Sequence, residues 1–522
     1  MKNRYLFICL LTILGLIGCF EDDSTLGTKS VPDITIAELA DTAIVSYSGN
    51  ILNVNPEVET LYPESELSYA WYYYPEEGIV TASENKWKDG YHNYKIGEGR
   101  ELSYEVNLPS GSYAIIFEVT SKTNNYVATQ KFRLKVTTEF SSCFYVLKEI
   151  AEGNSDLDLV KGEEINPNII SNMYGEAILG KPLNLSYIYN QGYIDEAAGG
   201  SAGAKAMYVF TDKDTRAYNT EDMAEIITRN TLSYSPLPQG ETPCTVFCAF
   251  VLMMLTDDGF YYTQPYDADM GYTSASRYGM STGVGGSPWV MFASGTKSWI
   301  YWSQAEHHVY LTDFNGSTPS PIEYEMPAGV DETSLTCIAG GQNWIGGTET
   351  SWFLTENPSG IRYLYLLNAS GKVDEIRKVA ANSHLAKAEI VAANGLSAPA
   401  LYVVDNNELY LYYFESGSES RVQLPGVGSD EKITYVSNQY LNAYSAMKGD
   451  AFDFDALLVA TQKEGNYRLY CFEDFVGGIP QKAVSPAVGE GSVKSVRYAA
   501  PLSFSIFDYI FTMSGPIFPL CD

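Results

Sequence analysis

The sequence predicts an all-β chain in which an N-terminal sandwich is followed by a β-propeller of seven or eight blades, seven being preferred. Three observations carry this. Tyrosine is abundant, with 41 copies in 522 residues, and it sits with Val, Ile, Thr and Phe in short runs that favour strands. Amphipathic helical patterns longer than three turns are scarce, and Thr220 to Arg229 is the best short helix candidate. Two hairpin-like segments, offset by 56 residues (Leu401 against Leu457), can be laid over each other.

The first element is an address. Lys2 and Arg4 precede an apolar run from Tyr5 to Ile17, and small Gly18 stands before Cys19, the order of a bacterial secretory signal. The run falls short of the about twenty apolar residues that span a bilayer. Leu16-Ile17-Gly18-Cys19 resembles the lipobox of bacterial lipoproteins, which implies that residues 1–18 are removed and that Cys19 becomes the lipidated first residue. Its acyl chains, at about 0.8 kcal/mol per buried CH₂, would hold the chain on a membrane without a spanning helix. An ordinary cleaved signal peptide is the competing reading. Residues 19–34 then form an acidic tether, in which Glu21-Asp22-Asp23 looks like the signal that sends Bacteroidetes lipoproteins to the outer face of the outer membrane.

Charge narrows the partners. The formal net charge is −31, and removal of residues 1–18, which hold Lys2 and Arg4 but no acids, takes it to −33. No basic cluster suited to phosphates is present, so nucleic acid is excluded as a partner. Of eight cysteines, Cys143, Cys244, Cys248, Cys337, Cys471 and Cys521 remain once Cys9 is removed and Cys19 acylated. On an extended strand Cys244 and Cys248 would lie roughly 13 Å apart, beyond disulfide reach. Buried free thiols are the expectation for most of the six.

Residues 35–138 read as the sandwich. Short strands are expected at Ile34–Ile36, Ala43–Tyr47, Leu67–Tyr73, Leu102–Val106, Tyr113–Val119 and Ala128–Val136. About seven strands in about 100 residues is the immunoglobulin-like pattern, and Trp71 fits its buried strand-C tryptophan. Such a domain is expected to be a spacer.

Residues 139–522 read as the propeller. Strand starts recur at Phe144, Ala206, Pro288, His308, Ala400 and Ala456, and the two matching hairpins run from Leu401 to Glu415 and from Leu457 to Glu473. Their first halves are expected to be inner strands and their aromatic-rich second halves outer ones. Roughly 380 residues at about 40 to 55 per blade make seven or eight blades. A large two-sheet sandwich is the competing architecture.

Catalytic chemistry is sparsely signalled. His92, His307, His308 and His384 lack zinc-site spacing. Asp212-Lys213-Asp214 and Asp267-Ala268-Asp269 are acidic turns without the full calcium-loop pattern. Gly283-Val284-Gly285-Gly286-Ser287 lacks the lysine of a phosphate loop, and no Gly-x-Ser-x-Gly elbow occurs. No catalytic residue, metal or cofactor is therefore assigned. Aromatic residues are the ligand-binding candidates: Trp289, Trp299, Trp302, Trp344 and Trp352, with Tyr266 and Tyr272 from a loop-rich stretch. Exposed aromatic faces can stack on sugars or anchor peptides, although strand aromatics in propellers more often pack between blades.

Leu108-Pro109-Ser110-Gly111-Ser112-Tyr113 through Val136 resembles the last hairpin of PKD domains, without their Trp-Asp-Phe-Gly-Asp-Gly motif. The order of lipobox, tether, sandwich and propeller resembles the PKD-like family lipoproteins of Bacteroidetes. Asn154-Ser155-Asp156-Leu157-Asp158, Asn166-Pro167-Asn168-Ile169-Ile170 and Gly180-Lys181-Pro182-Leu183 look like that family's segment at the start of the second domain. The resemblance implies a lipid-anchored accessory protein on the outer membrane, facing outward, beside a starch-utilisation-like transporter and its substrate-binding lipoprotein. A non-enzymatic module that captures peptide or glycan is the first expectation. A propeller hydrolase or lyase acting on an extracellular polymer, or an adhesion protein, are the alternatives.

Overall fold

Strands alternate with turns from Ile34 to Ala499 in the computed structural model, which describes residues 34–45, 50–75, 91–108, 111–195, 200–248, 252–263, 277–279, 284–313, 318–345, 348–441 and 454–499. The signal segment, Cys19 and the tether lie outside the described residues. In the first domain a five-stranded sheet runs in the order Thr42–Val45, Val127–Thr137, Gly111–Ser121, Leu67–Pro75, Lys95–Glu98. Two antiparallel pairs, Ile34–Ile36 with Val58–Thr60 and Ile51–Val54 with Leu102–Glu105, accompany it. Trp71 is fully buried among Leu67, Leu102, Ile115, Phe117 and Leu134. Its ring lies 4.4 Å from that of Phe117, and its Nε1 donates to the Gly99 carbonyl at 3.1 Å. Gly97 is required beside it, since a Cβ there would come within 2.7 Å of Leu102.

The direction of the first strands matters for function. Thr42–Val45 pairs in parallel with Leu134–Thr137, so the N-terminal segment runs the same way as the strand that leaves the domain. The eleven residues of Val127–Thr137, at about 3.3 Å each, span about 36 Å, and Thr42–Val45 lies along the last four of them.

Among the described residues seven sheets of three or four strands follow, each a blade, with one two-stranded pair, Phe475–Val476 and Ile479–Pro480, beside them. Blade 1 closes the ring by joining Cys143–Glu149, Ser155–Lys161 and Glu164–Asn166 to Ser492–Ala499, its innermost strand. Blade 2 is Pro182–Asp195, Gly200–Thr211, Thr215–Asn219 and Glu225–Thr228, and blade 3 shows Pro243–Cys248, Leu252–Thr256 and Phe260–Tyr262. Blade 4 runs from Val290–Ala293 through Ser298–Ser303 and His308–Asp313 to Ser320–Pro321, and blade 5 from Thr336–Ile345 through Thr348–Glu356 and Arg362–Leu367 to Val373–Lys378. Blade 6 comprises Ile390–Ala393, Ala400–Asp405, Glu408–Tyr413 and Glu419–Val422; blade 7 comprises Lys432–Leu441, Phe454–Lys463, Asn466–Phe472 and Ala487–Glu490.

Second strands have neighbouring blades on both faces and are therefore buried along their length, as in Ser298–Ser303 and Ala400–Asp405. Two expectations are corrected here. The matching hairpins are the second and third strands of blades 6 and 7, Ala400–Asp405 with Glu408–Tyr413 and Phe454–Lys463 with Asn466–Phe472; two-sided burial, not an inner position, made their first halves apolar. Thr220–Arg229 is a turn followed by the strand Glu225–Thr228, because Met223 takes a left-handed φ of 58° that ends any helix. The α-helix among the described residues is Ile169–Tyr174.

That helix is positioned by residues of the family-like segment. Buried Asp156 accepts from Ile170 N at 3.0 Å and Ser171 N at 3.3 Å, and from the Ser171 hydroxyl. Buried Asp158 meets Lys148 Nζ at 2.7 Å, Asn168 N at 2.8 Å and the Tyr467 hydroxyl at 2.7 Å. The segment thus joins blade 1 to the last blade. Its acids are structural.

Candidate functional site

The predicted aromatic platforms separate by burial. Trp299, Trp302 and Trp352 are fully buried between blades, with Trp302 5.3 Å from Tyr365 and Trp299 5.3 Å from Phe247. They are packing residues and present no face to a ligand, a correction to their place among the candidates. Trp289 is half-buried against the same cores, wedged where a Cβ on Gly340 would come within 2.8 Å of it. Tyr266 and Tyr272 lie outside the described residues. Trp344, like Trp289, is partly exposed.

Its exposure follows from hairpin lengths. Inner strands run in one direction around the propeller axis, so their turns into the second strands share one face. The inner strand of blade 5 has ten residues and that of blade 4 has four. Blade 5 therefore overshoots its neighbour, and Trp344, near the end of that overshoot and opposite Glu349 in register, keeps part of its indole uncovered. The same face receives the chain from the sandwich, since Ser142 N donates to Ala499 O at 2.7 Å.

Around this face the inner strands are stitched by side-chain amides, a feature the sequence reading missed. Gln342 donates to Phe292 O of blade 4 at 2.7 Å and to Glu349 at 2.9 Å. Asn343 turns the other way and donates to Asn394 O, Ala398 O and Ala400 O of blade 6 at 2.7, 3.2 and 2.9 Å. Asn438 donates to Asp455 and to Ala456 O, while Gln439 donates to Val496 O and accepts from Tyr498 N. Arg497 of blade 1 donates to Leu185 O of blade 2 at 3.2 Å. The signal was an amide pair near the end of an apolar run, Gln342-Asn343 and Asn438-Gln439, seen again as Asn190-Gln191.

Two carboxyl groups sit in this belt. Burial pushes Glu349 up to about 7, against hydrogen bonds from Ser294 and Gln342 that pull it down. Asp455 is likewise raised by burial, with Asn438 and Ser397 opposing. Both are held by neutral donors.

The histidines occupy separate places. His308 directs Nδ1 to Glu332 at 3.0 Å and Nε2 to Ile322 O at 2.8 Å and stacks on Tyr324. The Glu332 hydrogen bond raises its pKa above the ordinary value. His384 meets Asp405 at 2.7 Å, His307 the Leu335 carbonyl, and His92 Glu118. Among the described residues no three His, Cys, Asp or Glu side chains could share a metal ion. Asp212 and Asp214 are spent on Lys181 N and Arg216, and Asp267 and Asp269 lie outside the described residues. Gly285 and Gly286 let the chain pass against Asp257, Leu255 and Tyr301. Cys143, Cys244, Cys337 and Cys471 are free thiols, and burial pushes Cys143 and Cys471 up to about 12.

Residues 19–182 match the PKD-like family. The match begins at Cys19, runs through the sandwich and ends with the Gly180-Lys181-Pro182 segment. No curated protein matches the chain. Among solved structures it is similar to a quinonprotein alcohol dehydrogenase-like protein of Bacteroides thetaiotaomicron, at 12% identity and a TM-score of 0.39, over 90% of this chain and 100% of that one. It is also similar to a periplasmic gluconolactonase of Pseudomonas aeruginosa, at 14% identity and a TM-score of 0.39, over 69% and 99%. A third is the WD40 domain of Toxoplasma gondii coronin, at 11% identity and a TM-score of 0.37, over 69% and 93%. The seven blades are counted from the chain's own sheet order.

Proposed function

We propose that this chain is an outer-membrane lipoprotein, held through acylated Cys19, whose sandwich lifts a propeller off the bilayer to act as a non-enzymatic capture and scaffolding component of a starch-utilisation-like uptake system. The observation that carries the reading is the order of the chain: the lipobox at Leu16–Cys19, a PKD-like match that starts at residue 19, and a propeller after it. Partners on this reading are outer-membrane lipid, a transporter with its substrate-binding lipoprotein, and a captured peptide or glycan.

Capture and catalysis are separated by one incubation of the full chain with mixed peptides and glycans. Saturable binding without new reducing ends or new amines is expected. Release of either would replace capture by cleavage of an extracellular polymer.

A further inference from the structure

Apolar exposure on this chain peaks at one end of the sandwich. Leu61 is 87% exposed, more than any other large apolar side chain among the described residues, and Tyr126 and Val127 are 36% and 46% exposed. Leu61 lies in the loop after Val58–Thr60, and Tyr126 in the hairpin between Gly111–Ser121 and Val127–Thr137. The two loops are held together. Asn124 donates to the Tyr62 hydroxyl at 2.8 Å, Lys122 N to Glu66 O at 2.8 Å, and the Thr123 hydroxyl to the Glu66 carboxylate at 2.7 Å. Lys122 Nζ donates to Ser65 O, the Tyr69 hydroxyl donates to Glu64, and Asn125 turns the hairpin with a left-handed φ of 57°. Polar groups of this tip are thus spent on one another while its large apolar side chains face water. Singly scattered apolar residues need no partner, but three gathered on one stitched tip mark a contact.

The place of the tip in the chain names its partner. Ile34 lies opposite Thr60, the neighbour of Leu61, so the segment that carries Cys19 joins the sandwich at this tip. The chain leaves the sandwich past Thr137, the other end of the strand that begins with Val127. Ile34 follows Cys19 by 15 residues, a reach of at most about 54 Å. An acylated Cys19 therefore keeps the tip close to a bilayer surface. Tyrosine and aliphatic side chains are favourable in the headgroup layer. Glu59 and Glu64 beside them direct the tip to zwitterionic rather than anionic headgroups. We propose that the tip carrying Leu61, Tyr126 and Val127 rests in the headgroup layer of the membrane that holds Cys19, and so turns the Thr137 end, which leads into the propeller, outward. This rests on the anchoring reading above and adds an orientation to it.

The test puts an environment-sensitive nitrobenzoxadiazole label on Leu61→Cys and, separately, on Val476→Cys, an exposed propeller position. The unsubstituted chain, labelled in the same way, gives the background from the native thiols. Acylated full chains are reconstituted into phosphatidylcholine vesicles, with or without spin-labelled phosphatidylcholine, and recovered by flotation. The label at position 61 should shift to shorter wavelength and lose about half or more of its emission to the spin-labelled lipid, while that at 476 keeps its emission. Adding Tyr126→Asp and Val127→Asp should relieve the quenching at position 61 with thermal unfolding unchanged. Floating chains whose label at 61 is quenched no more than that at 476 would overturn the tip contact and leave the anchor standing. Chains that fail to float would remove the anchor and the tip contact with it. A shift at position 61 that appears without vesicles as protein concentration rises would assign the tip to a second copy and overturn the lipid assignment.

Discussion

At the scale of single residues, burial decides role. Trp302→Ala should cost about 3–5 kcal/mol, because it opens a cavity between blades 4 and 5, whereas Trp344→Ala should leave unfolding nearly unchanged; denaturant titration of both variants checks the contrast. Lys148 and Asp158 form an ion pair with almost no exposure of either side chain. Lys148→Ala strands a buried carboxylate and should cost about 3–5 kcal/mol, read from the denaturation midpoint. Glu349 sets a pH dependence. Its carboxyl rises from 4.5 to about 7 in the folded chain, so the native state holds the proton more tightly than the unfolded state. The resulting stability is complete below pH 4.5 and is lost as pH climbs to about 7. On the order of 3 kcal/mol is at stake, and Glu349→Gln should flatten that part of the stability profile. His308, raised by Glu332, adds stability below pH 6.5 that disappears as pH rises through its native value. A profile that instead rose from pH 4.5 to 7 in a manner removed by Glu349→Gln would contradict the burial argument.

At the scale of elements, the sequence was readable wherever one period dominated. His308–Asp313 and Ala400–Asp405 fall at their predicted residues, and Trp71 occupies its predicted core. Apolar runs do not state which layer of a blade they occupy, because second strands are buried on both faces, and so the repeated hairpins were assigned one strand too far inward. The candidate site was half readable. Trp344 stood in the sequence as one of five equivalent tryptophans, and its difference from Trp352 depends on the lengths of two neighbouring hairpins. The amide stitches were less visible still, since Gln342 and Gln439 acquire meaning only when carbonyls of an adjoining blade are beside them.

At the scale of the whole molecule, ring closure is the long-range device of the fold and anchoring is the one proposed for its function. Ser492–Ala499 is inserted as the inner strand of the blade that Cys143–Asn166 begins, so the ring closes only when both ends of the propeller are present. A chain ending at Gly491 should fail to give a cooperative unfolding transition, whereas an open-ended propeller would unfold as the parent does. On the reading proposed above, the anchor at Cys19 acts through the sandwich that precedes the propeller. The account as a whole stands on Cys19, and protease treatment of intact cells followed by membrane fractionation tests it most directly. The parent chain should be in the outer membrane and be cut from outside, and Cys19→Ala should leave the membrane fraction while keeping its fold. A Cys19→Ala chain that stays in the membrane, or a parent chain protected until the cells are broken, would contradict it.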